Sequence, residues 1–289
     1  MSSLIDSVNP WLVAVGLNTI LLGLAWIAPK KLLTPAGLFH AWFLAILIWV
    51  TLGWQGYAVV MFYFLVGSGV TRIGMAQKQA EGIAEKRSGA RGPENVWGSA
   101  LTGALCALGV GIINSGFLVP SYQYFDFAQY KFLVPNTSAT SYGEPVELLS
   151  TSLQSLLLLG YVASFSTKLA DTTASEVGKA YGKSTFLITT LQPVPRGTEG
   201  AISLEGTLAG IVASVAIAFV GWAVGLIDLL GVAWCVLAAF IATNLESVIG
   251  ATLQSKYTWL TNEVVNIFNT LIGAIAAVLL AWTWISIIK

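Results

Sequence analysis

Eight stretches of predominantly apolar residues recur along this chain, at 10–28, 36–52, 54–71, 95–119, 147–170, 204–226, 228–243 and 267–287. A helix that crosses the hydrocarbon of a bilayer needs about 20 such residues, and lipid offers no partner to an unpaired backbone group. The expected fold is therefore all-α: a polytopic integral membrane helical bundle of 7–8 transmembrane helices, one transmembrane domain over residues 1–289. Only 10% of the residues are charged, against about 25% in soluble domains, which excludes an ordinary soluble enzyme. Eleven tryptophans and nine tyrosines suit rings placed at the headgroup level. A net charge of zero offers no basic surface for nucleic acid.

The connections differ in kind. "GWQG" joins the second and third stretches in a short turn, and "GLIDLLG" between the sixth and seventh is tight enough to allow one of them to be re-entrant. Residues 72–94 read as a basic, helical loop, 120–146 as a turn-rich stretch, 183–203 as irregular because of its prolines and glycines, and 244–266 as a further polar segment. The start, "MSSLIDSVNPW", lacks the positive n-region of a signal peptide, so the first apolar run is expected to be retained. Cys106 and Cys235 lie inside apolar runs without metal spacing and read as buried thiols. His40 stands alone on an apolar helix and reads as a packed residue. No internal repeat is visible, which weighs against a repeat-built transporter.

Lys and Arg placement orients the chain. With the N-terminus outside and eight spans, twelve of the fourteen basic residues fall inside and only Lys131 and Lys289 outside, a strong positive-inside bias. The acids Asp171, Glu176, Glu199, Glu205, Glu246 and Glu263 collect on the same, cytoplasmic side, so loops 72–94, 171–203 and 244–266 are expected to form an active site there.

"TKLADTTASEVGKAYGK" places Lys168, Asp171, Ser175, Gly178 and Gly182 on one helix face by i+3 and i+4 spacing. A carboxylate beside small residues suits a hard cation, and Mg²⁺ takes one or two carboxylates plus substrate phosphates. Glu176, five positions on, lies about 140° round a regular helix, so the two acids cannot clamp one ion directly unless the helix bends, and separate jobs are expected. The competing account is a helix end with acids beside Lys179 and Lys183. In "PVPRGTEGAISLEGT", Arg196 and Gly197 put a guanidinium beside flexible backbone, suited to phosphate oxygens; an interfacial turn is the alternative. Gly206, Gly210 and Ser214 read as helix-packing contacts. "NLESVIGATLQSKY" carries Asn244 and Glu246, and Asn262, Asn266 and Asn269 form one amide stripe, either a binding site or interhelical hydrogen bonds. Arg87 and Arg91, beside Glu94 and Asn95, serve either as membrane anchors or as phosphate readers. The sequence contains no Walker A, H-E-x-x-H, G-x-S-x-G or Rossmann motif.

"ADTTASEVGKAYG", "VPRGTEGAISLEGT" and "ESVIGATLQ" together resemble the three signature blocks of the TMEM19-like (DUF92) integral membrane family. That family includes the phytyl phosphate kinases of the tocopherol pathway, and the chain is most similar to the cyanobacterial type. The block from Asp171 to Gly182 is also similar to the D-x-x-A-S-x-x-G-[RK] pattern of CTP-dependent polyprenol kinases. The resemblance implies an all-helical membrane kinase in a plasma or thylakoid membrane, with CTP or another nucleoside triphosphate as donor and a phytyl or other prenyl phosphate lipid as acceptor. On this hypothesis Asp171, with Glu176 or Glu246, holds Mg²⁺. Arg196, Lys179 and Lys183 neutralise the transferred charge. Asn262, Asn266 and Asn269 orient the nucleotide or the acceptor phosphate, and Ser175, Gly178, Gly182, Gly197 and Arg87 bind phosphate. The rivals are a polytopic transporter and a CTP-dependent cytidylyltransferase or polyprenol kinase.

Overall fold

A computed structural model describes residues 9–28, 31–115 and 145–288 of the chain. They form an all-helical bundle whose only strands, among the described residues, are a two-residue antiparallel ribbon. The major helices are α1 (Pro10–Ile27), α2 (Pro35–Thr71), α4 (Pro93–Asn114), α5 (Pro145–Tyr181), α6 (Leu204–Ala223), α7 (Leu229–Ile249) and α8 (Asn262–Ile288), with a short α3 (Met75–Ala80) between α2 and α4. Six of them are long and apolar enough to cross a membrane.

One of those six holds two crossings. Straight, the 37 residues of α2 would span about 55 Å, nearly twice the hydrocarbon thickness. Gly53 instead adopts φ 64°, ψ −161°, a conformation glycine alone reaches without strain, and the chain folds back. Its two ends meet: Arg72 beyond the helix donates from Nη2 to the Lys31 carbonyl before it, at 3.1 Å. The halves 35–52 and 54–71 are the second and third expected spans, with the turn in "GWQG". The helices α6 and α7 have 20 and 21 residues, about 30 Å each, so neither is re-entrant. Asp228 closes their tight connection by accepting the Gly231 N–H at 2.6 Å.

Helix ends depart from the hydropathy pattern. The polar segment at 244–266 is helical through Ile249, continues in a π-helical turn over Gly250–Gln254, and re-enters helix at Asn262. Loop 72–94 is helical only in α3 and a 3₁₀ turn at Lys86–Gly89. Residues 183–203 are irregular as expected, apart from the ribbon pairing Phe186 with Ile202 and Leu187 with Ala201. The stretch at 120–146 lies, except for its last two residues, outside the described residues.

The centre of the bundle is α5. Every residue from Leu158 to Asp171 is buried, which means the helix is sheathed by neighbours on all faces. Tyr161 donates to the Gly56 carbonyl at 2.7 Å, tying α5 to the hairpin turn at one end of the bundle. Thr102 and Thr270, 2.9 Å apart, join α4 to α8. The helix α1 is the most peripheral and is pinned through Tyr57, whose hydroxyl donates to buried Asn18 at 2.8 Å. His40 accepts from Trp97 Nε1 at 2.9 Å, a packed residue as read from the sequence. Cys106 and Cys235 are free thiols.

Candidate active site

At the end of the bundle opposite the Gly53 turn, segments far apart in sequence enclose a cavity of about 730 Å³. Its back wall is α5, which contributes Lys168, Asp171, Ser175, Glu176, Gly178 and Lys179. The loop before α4 adds Arg87 and Arg91, the turn before α6 adds Gly197 and Glu199, α7 adds Asn244 and Glu246, and the start of α8 adds Asn262 and Asn266. All three loops expected to build the site therefore reach one space.

The helices come close because their contact faces are small. A Cβ on Gly206 would lie 2.5 Å from the Ala174 carbonyl oxygen, and one on Gly210 would lie 2.9 Å from that of Ala170. This stripe packs α6 on α5, as the sequence reading held. Gly178 belongs to the same contact, 3.3 Å from where the Gly206 Cβ would stand. The turn at 197–200 docks on the end of α7. Gly200 has φ 76°, and a Cβ there would lie 2.6 Å from the Ser247 carbonyl oxygen, so only glycine lets this turn seat and carry Glu199 to the cavity.

Two buried ion pairs stand on α5. Lys168, 6% exposed, donates to Asp171 Oδ2 at 2.5 Å and to Asn266 Oδ1 at 2.7 Å. Glu246 from α7 faces the same Asp171 carboxylate, with Glu199 nearby. Glu176, 1% exposed, pairs with Lys78 of α3, which also donates to the Thr71 carbonyl at 2.9 Å. Its other oxygen lies 3.5 Å from the Lys179 ammonium. Asp171 and Glu176 thus face different partners, as their angular separation requires.

Among the described residues no three acids, histidines or cysteines converge tightly enough to share one ion, so Asp171, Glu176 and Glu246 are not a single ligand set. The facing oxygens of Asp171 and Glu246 are a hard donor pair of the kind Mg²⁺ uses together with substrate phosphates. The balance of charge agrees with that fit. Six carboxylates and four cationic side chains line the cavity, so a polyanion is repelled from it unless a divalent cation comes too.

Four expected site residues do not line the cavity. Arg196 is turned to Glu81 at 2.7 Å, because the adjacent Gly197 docks on Ile83. Gly182 packs on Ser203 just beyond the end of α5. Lys183 is exposed, and its backbone N–H approaches Glu205 at 3.4 Å. Asn269 is 1% exposed and one turn deeper than Asn266, with neither amide atom hydrogen-bonded. Arg87 is at the rim, bonded to Glu94 and, at 2.8 Å, to Asn95.

Two cations gain importance from the fold. Lys168 shares the helix face of Asp171, a visible signal, but its contact with Asn266 spans 98 residues. Arg91 lies over the Tyr63 ring, 5.0 Å from its centroid, and donates to the Tyr63 hydroxyl at 2.8 Å. Its backbone pairs with the 32–34 segment, and nothing local in "SGARGPE" announces that anchor.

The chain is similar in sequence to known proteins. A model of the family described as integral membrane protein DUF92 matches residues 18–274. The chain is 62% identical over 270 residues to an uncharacterized membrane protein of Synechocystis sp., covering 93% of this chain and 90% of the relative. It is 40% identical over 280 residues to Protein VTE6, chloroplastic, of Arabidopsis thaliana, covering 96% of this chain and 74% of that protein. Protein PGR of the same plant is 25% identical over 237 residues, covering 78% and 74%, so the chain stands nearer to VTE6 than to PGR. No solved structure matches.

Proposed function

The chain belongs to the DUF92 family of integral membrane proteins, and we propose that it is a membrane phosphotransferase moving the γ-phosphate of CTP, or of another nucleoside triphosphate, onto a prenyl phosphate, phytyl phosphate first, to give the diphosphate. The observation that carries this reading is the meeting of the three resemblance blocks in one cavity. The stretches Asp171 to Lys179, Gly197 to Thr207 and Glu246 to Ser247 span 76 positions from first to last, yet each contributes residues to the cavity wall.

The acceptor needs little activation. A phosphate monoester has a second pKa near 6 and is mostly a dianion at pH 7. One of its oxygens attacks the γ-phosphorus, the bond from that phosphorus to the β–γ bridging oxygen breaks, and the nucleoside diphosphate leaves with the electron pair. No general base is required, which fits a cavity without histidine. Asp171 and Glu246 are the residues that would hold Mg²⁺, which would supply positive charge to offset that of the donor phosphates. Lys168 is held in place by Asp171 and Asn266 and directs an ammonium at the space where the phosphoryl group passes. Arg91, fixed by Tyr63, and Lys179 supply further positive charge, while Asn262 and Asn266 offer amide donors. Positioned charge of this kind supplies most of the catalysis of phosphoryl transfer.

The test uses purified protein in lipid nanodiscs with Mg²⁺, γ-labelled CTP and phytyl phosphate. Label in the lipid diphosphate is the expected result. A protein that turns over no nucleotide, yet moves prenyl phosphate across vesicle membranes, is a transporter and ends the proposal.

A further inference from the structure

The cavity is larger than two phosphate sites require, and its shape is uneven. Besides the charged mouth, it includes Gly210, Ile211 and Ser214 of α6 and Ala239, Phe240 and Thr243 of α7. Ser214 lies ten residues from Leu204 at the start of α6, and Ala239 ten residues from Ile249 at the end of α7. At 1.5 Å per residue both sit about 15 Å inside, near the middle of a hydrocarbon layer about 30 Å thick. None of these six side chains is charged.

The two helices are joined at the far end by residues 224–228, while at the near end the turn at Gly200 is seated against Ser247 and Ala251 of the α7 terminus. The result is a wedge that opens toward the charged mouth, with α5 as its floor. Phe240 lines the wedge and is 46% exposed, and Leu237, one turn earlier on the same side of α7, is exposed too, so the wedge borders the apolar outer face of α7 there.

We propose that this wedge between α6 and α7 binds the isoprenoid tail of the acceptor, which enters sideways from the bilayer past Phe240 with its phosphate leading to Lys168 and Arg91. The occupant follows from the gradient along one continuous space. Cationic side chains at the mouth complement a phosphate, and a neutral, largely apolar cleft at bilayer mid-depth excludes water and admits hydrocarbon. A soluble phosphate would use only the mouth. The identity of the acceptor rests on the kinase reading above; the location of its tail rests on the wedge alone.

Two measurements test this independently. In the first, wild-type protein in nanodiscs is photolabelled with a C20 isoprenoid phosphate bearing a diazirine on the tail, and labelled peptides are mapped. Label on 210–214 and 239–243, displaced by unlabelled phytyl phosphate, is the expected result. Label confined to other helices, or displaced equally well by ordinary phospholipid, overturns the proposal, the latter making the wedge an acyl-chain niche. In the second, Ser214→Phe and Ile211→Trp fill the wedge, and turnover of C20 and C5 isoprenoid phosphates is compared. The C20-to-C5 ratio of kcat/KM falls at least ten-fold in each variant that remains monodisperse; an unchanged ratio overturns the proposal. If wild type transfers no phosphate to either acceptor, the kinase reading fails, and the labelling still decides the wedge.

Discussion

Two ion pairs five residues apart on the same helix have opposite electrical settings. Glu176 is surrounded by cations: Lys78 is bonded to it and Lys179 lies at its other oxygen. Asp171 shares its one ammonium, that of Lys168, with a second carboxylate from Glu246. The first pair is sealed, with side-chain exposures of 1% and 2%, and it fastens α3 to α5. Both carboxylates border the same cavity, but only the second has capacity for more positive charge. A buried ion pair by itself therefore says little about function; the balance of charge around it separates a fastener from a binding site.

Variants can break this contrast, and the largest expected effect is on stability. Lys78→Met strands the Glu176 carboxylate and is expected to cost about 3–5 kcal/mol, seen as a lower Tm in detergent, whereas Lys78→Met with Glu176→Leu recovers most of the loss. A double variant no more stable than the single one would show that the pair does not act as a sealed unit. Asp171→Asn leaves the Glu246 carboxylate to balance Lys168, so it is expected to lower Tm by less than Lys78→Met does and to lower phosphoryl transfer by roughly 10²–10³, the range seen when one transition-state contact is lost. Equal activity in Asp171→Asn and wild type removes Asp171 from the site.

Smaller effects sharpen the comparison. Mg²⁺ at about 100 times its Kd stabilises a protein that binds it only when folded by about 2.7 kcal/mol. Its addition should raise the Tm of wild type and of Glu176→Gln, but not that of Asp171→Asn. A shift retained in Asp171→Asn places the ion elsewhere. Arg196→Ala is expected to matter least. Its pair with Glu81 is partly exposed and outside the cavity, worth about 0–1 kcal/mol, and turnover should change by less than three-fold. A hundred-fold loss would mean that Arg196 leaves Glu81 to meet the substrate.

The site was legible in its residue types and only partly in its membership. The i+3 and i+4 face of Lys168, Asp171 and Ser175 was readable because helix periodicity is local. Arg196 and Lys183 look like phosphate ligands in a linear reading, since a basic residue beside glycine or lysine shows no direction. The partner of Arg196, Glu81, lies 115 positions away, and no local pattern encodes such a pairing; Lys183 is exposed beyond the end of α5. Asn269 follows the spacing of its stripe correctly, yet one helical turn of depth separates it from the cavity.

Hydropathy alone determined the all-helical membrane class and the hairpin at Gly53, because a bilayer leaves the backbone no other way to satisfy its hydrogen bonds. It did not determine where helices end. Polarity marks where lipid contact stops, but helix propagation continues through residues such as Asn244 and Glu246, which carry good intrahelical bonds into water. Tertiary structure decided which acid is matched by cations and which has to share one with a second carboxylate, and that the cavity runs between α6 and α7. Those outcomes depend on charges and surfaces brought together across a hundred residues, and the free energy of each contact belongs to the pair rather than to either sequence segment.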